Sequence, residues 1–302
     1  MNSVVHHNTS DSPILPKSWK SLFQYWDVIP FLAIHLMCVW AFQTGIRLEW
    51  VILGIASYYV RMFAVTAGYH RYFSHRSYKT SRVFQFLLAF LAMTSAQKGV
   101  LWWAAHHRHH HRYSDQEPDF HSPLQRGFWF AHVGWILSSE SIRTDFKLVK
   151  DFSAYPEIMF INRFHYLPPL LYALLIYSVW GFPGLVWGFF VSTTVLYHCT
   201  FFINSLTHMI GRVRYQSNDG SRNNFVLALL CCGEGWHNNH HHYQSAVNQG
   251  WFWWEVDLSY YILLVLSWFG IVWDLRTPPD HIKARTIAVE NGYQMRAQSI
   301  KS

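Results

Sequence analysis

Apolar and polar stretches alternate along the chain in a pattern that predicts two helical hairpins. Residues 28–42 are apolar, a short polar turn follows, and residues 50–69 form a second apolar stretch. A second pair covers about 166–180 and 184–206, separated only by the uncharged turn at 181–183. Each stretch approaches the roughly 20 residues that span a bilayer. We therefore predict an all-α, multi-pass membrane protein with four transmembrane helices in two hairpins and a helical cap outside the bilayer.

Two further apolar runs, 83–103 and 251–273, are long enough to be mistaken for spans. Polar and charged side chains interrupt them: Gln85, Gln97, Lys98, Glu255, Asp257 and Ser259. Amphipathic helices rich in Trp and Tyr are typical of the membrane interface. We expect these runs to lie at the interface or to cover the cap. The alternative, in which both runs span the bilayer, would divide the histidine clusters described below between its two sides.

The distribution of positive charge predicts the orientation. Arg47 is the one Lys or Arg in the loops inside the two hairpins, whereas residues 70–165 hold about a dozen. Because positive loops stay in the cytoplasm, this segment and both termini are expected there. The predicted divisions are an N-terminal tail (1–27), a first transmembrane hairpin (28–69), a first part of the cytosolic cap (70–165), a second transmembrane hairpin (166–208), a second part of the cap (209–280) and a C-terminal tail (281–302).

Composition narrows the class of protein. Of the 302 residues, 51% are hydrophobic and 14% are charged, against roughly 25% charged in average globular proteins. A purely soluble enzyme is therefore disfavoured, and nothing indicates a nucleic-acid partner. The four cysteines form no Cys-x-x-Cys pair, so neither a disulfide framework nor a thiolate metal site is expected. The unusual feature is histidine, with 20 residues against 17 Asp plus Glu.

Most of these histidines fall in groups that adjoin the apolar runs. The groups are His70 and His75; His107, His110 and His111; and His237, His240 and His241. Positions i, i+3 and i+4 share one helical face, so each triplet delivers three imidazoles to one point. Eight or nine imidazoles exceed what one metal takes and predict two metals. Imidazole suits iron, copper, zinc and nickel; oxygen activation against an unactivated hydrocarbon favours iron, and a metal-binding surface tract is the alternative.

The pair His70 and His75 has a different spacing. On an α-helix, positions i and i+5 are about 140° apart, so the two imidazoles converge only if the helix ends or bends between them. Ser74 could cap a new helix that carries His75. Near the end of the last apolar stretch, Asn204 and His208 are one turn apart and offer a carboxamide and another imidazole.

With these residues in view, the chain resembles the membrane-bound fatty acid desaturases, specifically the delta-9 acyl desaturases that include stearoyl-CoA desaturase. The likeness covers about 60–274. It rests on GYHRYFSHRSY (68–78), the end of the second histidine triplet (110–115), RGFWFAHVGW (126–135), NSLTH (204–208) and GEGWHNNHH (233–241). The resemblance implies four spans beneath a cytosolic cap, two Fe²⁺ ions held by nine histidines, and a bent tunnel for the acyl chain.

The resemblance also implies roles for individual residues. The implied iron ligands are His70, His75, His107, His110, His111, His208, His237, His240 and His241, with Asn204 acting through a water. His106-x-x-His109-His110 also fits the second triplet, but the family places its last His pair two residues before a Ser, which selects His107. The tunnel bend corresponds to Gln97, Trp103 and Thr200, and Tyr58 corresponds to the closed end of the tunnel, which suggests saturated C16 to C18 chains.

The implied reaction is the O₂-dependent introduction of a cis double bond, with delta-9 position, into an acyl group carried by CoA. One departure leaves the carrier open, since Ala105-His106 stand where the animal acyl-CoA enzymes have Arg-Asp; a lipid-linked or carrier-protein-linked chain is the alternative. A heme-binding His-Pro-Gly-Gly is absent, so electrons are expected from a separate protein of the cytochrome b5 or ferredoxin type. Glu234 and Asp115 are candidates for fixing the ligand histidines. The expected location is a bacterial cytoplasmic membrane, and a di-iron hydroxylase and a histidine-rich metal transporter remain alternative functions.

Overall fold

The computed structural model describes residues 28–285 and is mostly helical within that range. The predicted tail 1–27 and most of the tail 281–302 lie outside the described residues. The helices are α1 (Val28–Met37), α2 (Trp40–Thr44), α3 (Leu48–Phe63), α4 (Arg82–Met93), α5 (Val100–Tyr113), α6 (Pro123–Arg126), α7 (Lys150–Ser153), α8 (Pro156–Arg163), α9 (Leu167–Gly184), α10 (Ser192–Ser205), α11 (Phe225–Leu230), α12 (His237–His242), α13 (Leu258–Trp268) and α14 (Asp280–Lys283).

Wider and tighter helical turns connect several of these helices. The π-helical segments are Ala64–Ser74, Phe130–Gly134 and Leu185–Val191, and the 3₁₀ turns are Ser139–Ser141, Phe146–Val149 and Leu206–His208. Two short strands, β1 (Lys79–Thr80) and β2 (Val272–Trp273), pair in antiparallel fashion. This pairing fastens the chain after the first histidine pair to the chain that follows α13.

The predicted second hairpin is a helical run that reverses at one glycine. The run Leu167–His208 has 42 residues, and a straight helix of that length would measure about 63 Å. Gly181 interrupts it with φ 64° and ψ −162°, a conformation that glycine adopts readily. Beyond this point the chain folds back. The ring centroids of Tyr172 and Phe189, on opposite sides of the turn, are 6.2 Å apart. The turn therefore lies where the sequence predicts it.

Two helices in the described range are long and apolar enough to cross a membrane, namely Leu48–Ser74 with 27 residues and Leu167–His208. The apolar helix over Val28–Thr44 is shorter. Neither Arg82–Met93, with 12 residues, nor Leu258–Trp268, with 11 residues, approaches the roughly 20 residues of a span. This agrees with the expectation that the runs 83–103 and 251–273 are not spans.

The first histidine pair lies on a π-helical segment, and this corrects the expected cap at Ser74. The segment Ala64–Ser74 continues α3 without a break, and the His75 amide donates to the His70 carbonyl across 3.2 Å. A π-helix bonds i to i+5, so residues five apart lie above one another. The rings of His70 and His75 are accordingly 4.8 Å apart. No helix begins at Ser74; the next helix begins at Arg82.

The core lies where α4 and α5 pack against this π-helical segment. Gly68 makes the close approach possible, since a Cβ there would stand 3.0 Å from Leu88 Cγ of α4. Beside it, the fully buried Arg71 pairs with Glu234 at 3.1 Å and with Asp257 at 2.9 Å. These ion pairs tie the π-helical segment to the chain on either side of α12, which carries the third histidine group.

Candidate metal centre

The structure brings the nine predicted histidines together in two groups. The first group contains His70, His75, His107, His111 and His240, and the second contains His110, His208, His237 and His241. Within each group the possible donor atoms all lie within 4.8 Å of one another. The π-helical segment, α5, the 3₁₀ turn Leu206–His208 and α12 each contribute. Two compact donor sets, each made almost wholly of imidazoles, are the arrangement that two metal ions require.

The distances between ring nitrogens suit a metal with five or six ligands. His107 Nε2 lies 2.9 Å from the Nε2 atoms of both His75 and His111, and the Nε2 atoms of His208 and His237 are 3.1 Å apart. With metal–imidazole bonds of about 2.1 Å, ligands at right angles are about 3.0 Å apart and tetrahedral ligands about 3.4 Å apart. The observed spacings match the right-angled arrangement of a five- or six-coordinate metal rather than the tetrahedral arrangement of structural zinc.

Four of these imidazole rings contact a carboxylate through Nδ1. The Nδ1 atoms lie against Glu234 (His70, 2.5 Å), Asp119 (His110, 2.9 Å), Asp115 (His208, 2.8 Å) and Asp219 (His241, 2.5 Å). Such a partner keeps the proton on Nδ1 and turns the unprotonated Nε2 toward the metal. The sequence predicted Glu234 and Asp115 for this role but not Asp119 or Asp219. Asp219 lies 22 residues before His241 in an irregular loop, so no helical spacing signals it.

The electrostatics of the centre favour neutral imidazoles at six of its nine histidines, whereas Asp119, against the effect of burial, raises the pKa of His110. Burial lowers the pKa of His107 well below its ordinary value, and neighbouring histidines lower it further; the same causes act on His237 and His240. A metal binds the deprotonated ring, so these groups need not lose a proton when an ion enters. Asp115 stays ionised beside them: burial raises its pKa, but the hydrogen bond and charge of His208, together with hydrogen bonds from Ser122 and the Gly220 amide, leave it below the ordinary value.

The register of the second triplet agrees with the choice of His107. His106 lies in neither of the two groups; its Nδ1 is 2.9 Å from the Trp102 carbonyl oxygen. His109 packs against Phe120, with ring centroids 4.5 Å apart and the rings tilted by 39°. His242, next to the third triplet, is also outside both groups.

Two adjoining cavities contact the first histidine group. A larger space of about 430 Å³ and a smaller one of about 30 Å³ share the wall formed by Trp103, His107, Thr200 and Asn204. At this junction Gln97 donates to Thr200 across 3.1 Å, and the Trp103 indole donates to Gln97 across 3.3 Å. The three residues expected at a tunnel bend therefore form one hydrogen-bonded unit, which we call the Gln97 triad.

The remaining predicted residues are Asn204 and Tyr58. Asn204 lines both cavities one helical turn before His208. Tyr58 lines neither cavity; its hydroxyl donates to the Leu230 carbonyl oxygen across 2.6 Å. Tyr58 is in the same core cluster as Met62 and Cys231, which line the smaller cavity. Tyr58 is therefore near the smaller cavity but not in the wall of either one.

Comparison with known proteins gives a consistent result. The fatty acid desaturase family model matches residues 48–263. The chain is 36% identical over 272 residues to an sn-1 stearoyl-lipid 9-desaturase of Synechocystis sp., covering 88% of this chain and 85% of that protein. It is 30% identical over 298 residues to an acyl-CoA 5-desaturase of Anemone leveillei, covering 95% and 92%.

A third relative is a palmitoyl-monogalactosyldiacylglycerol delta-7 desaturase of Arabidopsis thaliana, 33% identical over 274 residues, covering 89% of this chain and 73% of that protein. The names of these relatives differ in the acyl carrier and in the position of the double bond, but all three are desaturases. The matched residues contain all nine histidines of the two groups. The chain belongs to the fatty acid desaturase family of oxygen-dependent oxidoreductases.

Proposed function

We propose that this desaturase introduces a cis double bond at the delta-9 position of a saturated C16 to C18 acyl chain. The observation that carries the proposal is the position of His107, a member of the first histidine group, in the wall shared by both cavities. At that point the Gln97 triad bends the cavity. A methylene pair held at the bend would be the part of the chain closest to the metal centre.

The two histidine groups would each hold one Fe²⁺ ion. The first group offers five imidazoles and the second offers four, with Asn204 supplying the missing position through a water. When bound, the pair of irons supplies the reductive activation of dioxygen that removing hydrogen from a methylene requires. Imidazole donors without thiolates fit iron, and the spacing of about 3 Å between ring nitrogens fits its preferred coordination.

The chain's own residues contribute geometry. The apolar walls hold the substrate in one extended path and exclude water, and the bend fixes which carbons face the metals. Trp103 packs its ring 5.0 Å from the ring of His107, so the bend is rigidly attached to a ligand. Regioselectivity then depends on distance along the tube. The small cavity near Met62 receives the methyl end, and Tyr58 supports its closed end.

The proposed setting is a bacterial cytoplasmic membrane crossed four times, with the metal centre and both termini in the cytoplasm. Electrons would come from a separate donor of the cytochrome b5 or ferredoxin type. Long-range attraction between the basic cap and an acidic donor would raise the rate of encounter at low salt. The relatives include enzymes named for acyl-CoA and for lipid-linked substrates, so both carriers are candidates.

Expression in a desaturase-deficient cell tests this function. The expected product is a cis-9 unsaturated fatty acid, located by mass spectrometry of the isolated lipids. His107→Ala, His110→Ala and His241→Ala should each abolish it, because each removes a proposed ligand. Unchanged unsaturated lipid levels in all three variants would contradict the metal assignment, and His242→Ala provides the matched control outside both groups.

The same product analysis separates the alternatives. A hydroxylase adds one oxygen and leaves the hydrogen count unchanged, whereas a desaturase removes two hydrogens. A metal transporter would yield neither product and would instead change the metal content of the cell.

A further inference from the structure

The larger cavity extends beyond the metal centre into the membrane part of the fold. Its walls there come from three helical runs that the sequence predicts as spans: Pro30, Phe31 and Ile34 of α1; Pro169, Leu170 and Ala173 of α9; and Phe189 and Phe190 before α10. Asn204 follows Phe190 by 14 positions along the helical run, or about 21 Å along its axis. The cavity therefore connects the Gln97 triad with a long apolar slot between α1 and α9.

This slot reaches the outer surface of the helical bundle. Leu170 lines the cavity and is also 56% exposed, and Tyr166, one turn earlier, lines it and is 47% exposed. Their neighbours Leu171 and Leu174 are 43% and 54% exposed. A surface with this many large exposed apolar side chains is suited to hydrocarbon rather than to water. The mouth of the slot therefore opens sideways, onto the face that lipid would cover.

We infer that the acyl chain enters sideways through this slot while still esterified in a bilayer lipid. The inference rests on the proposed function, in which α1 and α9 cross the membrane. The mouth lies within the first two turns of α9, near the end of the bundle that carries the metal centre. A glycerolipid could keep its head group at the interface there while one chain bends into the slot and on to the Gln97 triad.

The chemistry of the lining favours a lipid over a water-soluble carrier. Among the described residues that line the larger cavity, Lys98 is the one Lys or Arg, and its ammonium lies 4.7 Å from the Trp102 ring centroid. A polyphosphate head group is normally held by several cationic side chains. An acyl chain that is already in the bilayer passes from hydrocarbon to apolar protein with little change in hydration. Van der Waals packing against the slot is then sufficient to bind it.

Two tryptophan variants on one helix test the route. Ala173 lines the slot and is half-buried, whereas Leu174 is exposed and lines neither cavity. Ala173→Trp places an indole in the slot, and Leu174→Trp places the same group on the outer surface. Both variants should retain the iron content of the wild-type protein, since neither site touches a histidine of the two groups.

The assay uses the full-length protein in vesicles with a reduced ferredoxin system. One set of vesicles contains 1-stearoyl-2-oleoyl-phosphatidylcholine, and another set receives stearoyl-CoA. The wild-type protein should desaturate the esterified stearoyl chain. Ala173→Trp should lower that rate at least about tenfold, because overpacking an apolar site is strongly unfavourable, whereas Leu174→Trp should stay within about twofold of wild type.

Two results would overturn the inference. One is a wild-type protein that desaturates stearoyl-CoA and leaves the esterified chain unchanged. The other is an iron-loaded Ala173→Trp variant with the wild-type rate on the lipid. If iron-loaded protein acts on neither substrate, the proposed function itself fails.

A binding measurement keeps these failures apart and does not depend on turnover. A phosphatidylcholine with a diazirine in its acyl chain should label peptides that contain residues 30–34 and 166–173, and Ala173→Trp should reduce this labelling. Labelling confined to other peptides would contradict the slot, whether or not the protein is active. Labelling without desaturation would instead support a lipid-binding slot in a protein of different function.

Discussion

The loop that presents the Gln97 triad provides the sharpest prediction about regioselectivity. Gln97 lies between two non-glycine residues in the left-handed region, Ala96 with φ 57° and Lys98 with φ 64°. Two tyrosine hydroxyls hold the loop in this shape: Tyr197 donates to the Ala96 carbonyl across 2.9 Å, and Tyr69 donates to the Lys98 carbonyl across 2.8 Å. We predict that Tyr197→Phe loosens the loop and spreads the double bond over neighbouring positions.

The magnitudes support this direction. A left-handed residue costs about 1–2 kcal/mol, so the two together store about 2–4 kcal/mol. Deleting the Tyr197 hydroxyl leaves the half-buried Ala96 carbonyl without this donor, at a cost of about 1–3 kcal/mol. Because this loss is comparable with the stored strain, the loop should relax and move Gln97 relative to Thr200. Adding Ala96→Gly removes the strain at that position and should restore part of the selectivity.

The assay locates the double bond by mass spectrometry and follows thermal unfolding in parallel. Tyr197→Phe should lower the free energy of unfolding by about 1–3 kcal/mol and yield more than one positional isomer. Tyr177→Phe is the matched control, because that side chain is 52% exposed. A single isomer at the wild-type position, with an unchanged unfolding midpoint, would refute the reasoning.

Three further predictions concern the metal centre and its support. Asp119→Asn should lower iron affinity about 10–100-fold, because the carboxylate that supports a ligand histidine loses its charge. Metal analysis after dialysis measures this effect, with Asp280→Asn as the control because the Asp280 side chain is 99% exposed. Equal iron retention in the two variants would contradict the prediction. His107→Ala should lose iron, whereas His106→Ala should retain it. The metal-to-protein ratio of each purified variant measures the difference. The opposite pattern would favour the register in which His106 replaces His107 as a ligand. Arg71→Met should lower the free energy of unfolding by about 3–5 kcal/mol, because two buried carboxylates lose their counter-ion. A denaturant titration measures this change. A decrease below about 1 kcal/mol would show that the ion pairs contribute little to stability.

The histidine groups illustrate how far spacing alone can reach. Triplets at i, i+3 and i+4 lie on one helical face whatever surrounds them, so the convergence of three imidazoles is a local property. Two such triplets next to apolar runs were enough to predict a two-metal centre, whereas the register of the second triplet and the inclusion of His208 followed from the family resemblance. For His70 and His75 the α-helical rule was wrong, because the segment is π-helical and the wider turn is stabilised by packing that no local pattern records.

The carboxylate partners show the opposite case. Glu234 precedes the third triplet and Asp115 follows the second, so proximity in sequence suggested both. Asp219 approaches His241 from an irregular loop, and Asp119 approaches His110 through a turn. Their positions depend on how loops fold over the cap, and loops carry no periodicity from which contacts could be predicted.

From its residues alone the sequence predicted the apolar hairpins, the turn at 181–183 and the two histidine triplets, because helical periodicity and glycine conformation are local. The full set of nine histidines and the residues of the bend followed from the family resemblance. Only the tertiary structure decided which histidines share a group, since members of one group come from segments up to about 170 positions apart. It also decided that Gln97, Trp103 and Thr200 bond to one another and that a slot opens between α1 and α9. Cavities are formed by surfaces that meet only after the chain has packed. The local pattern of each helix therefore does not predict the space between that helix and its neighbours.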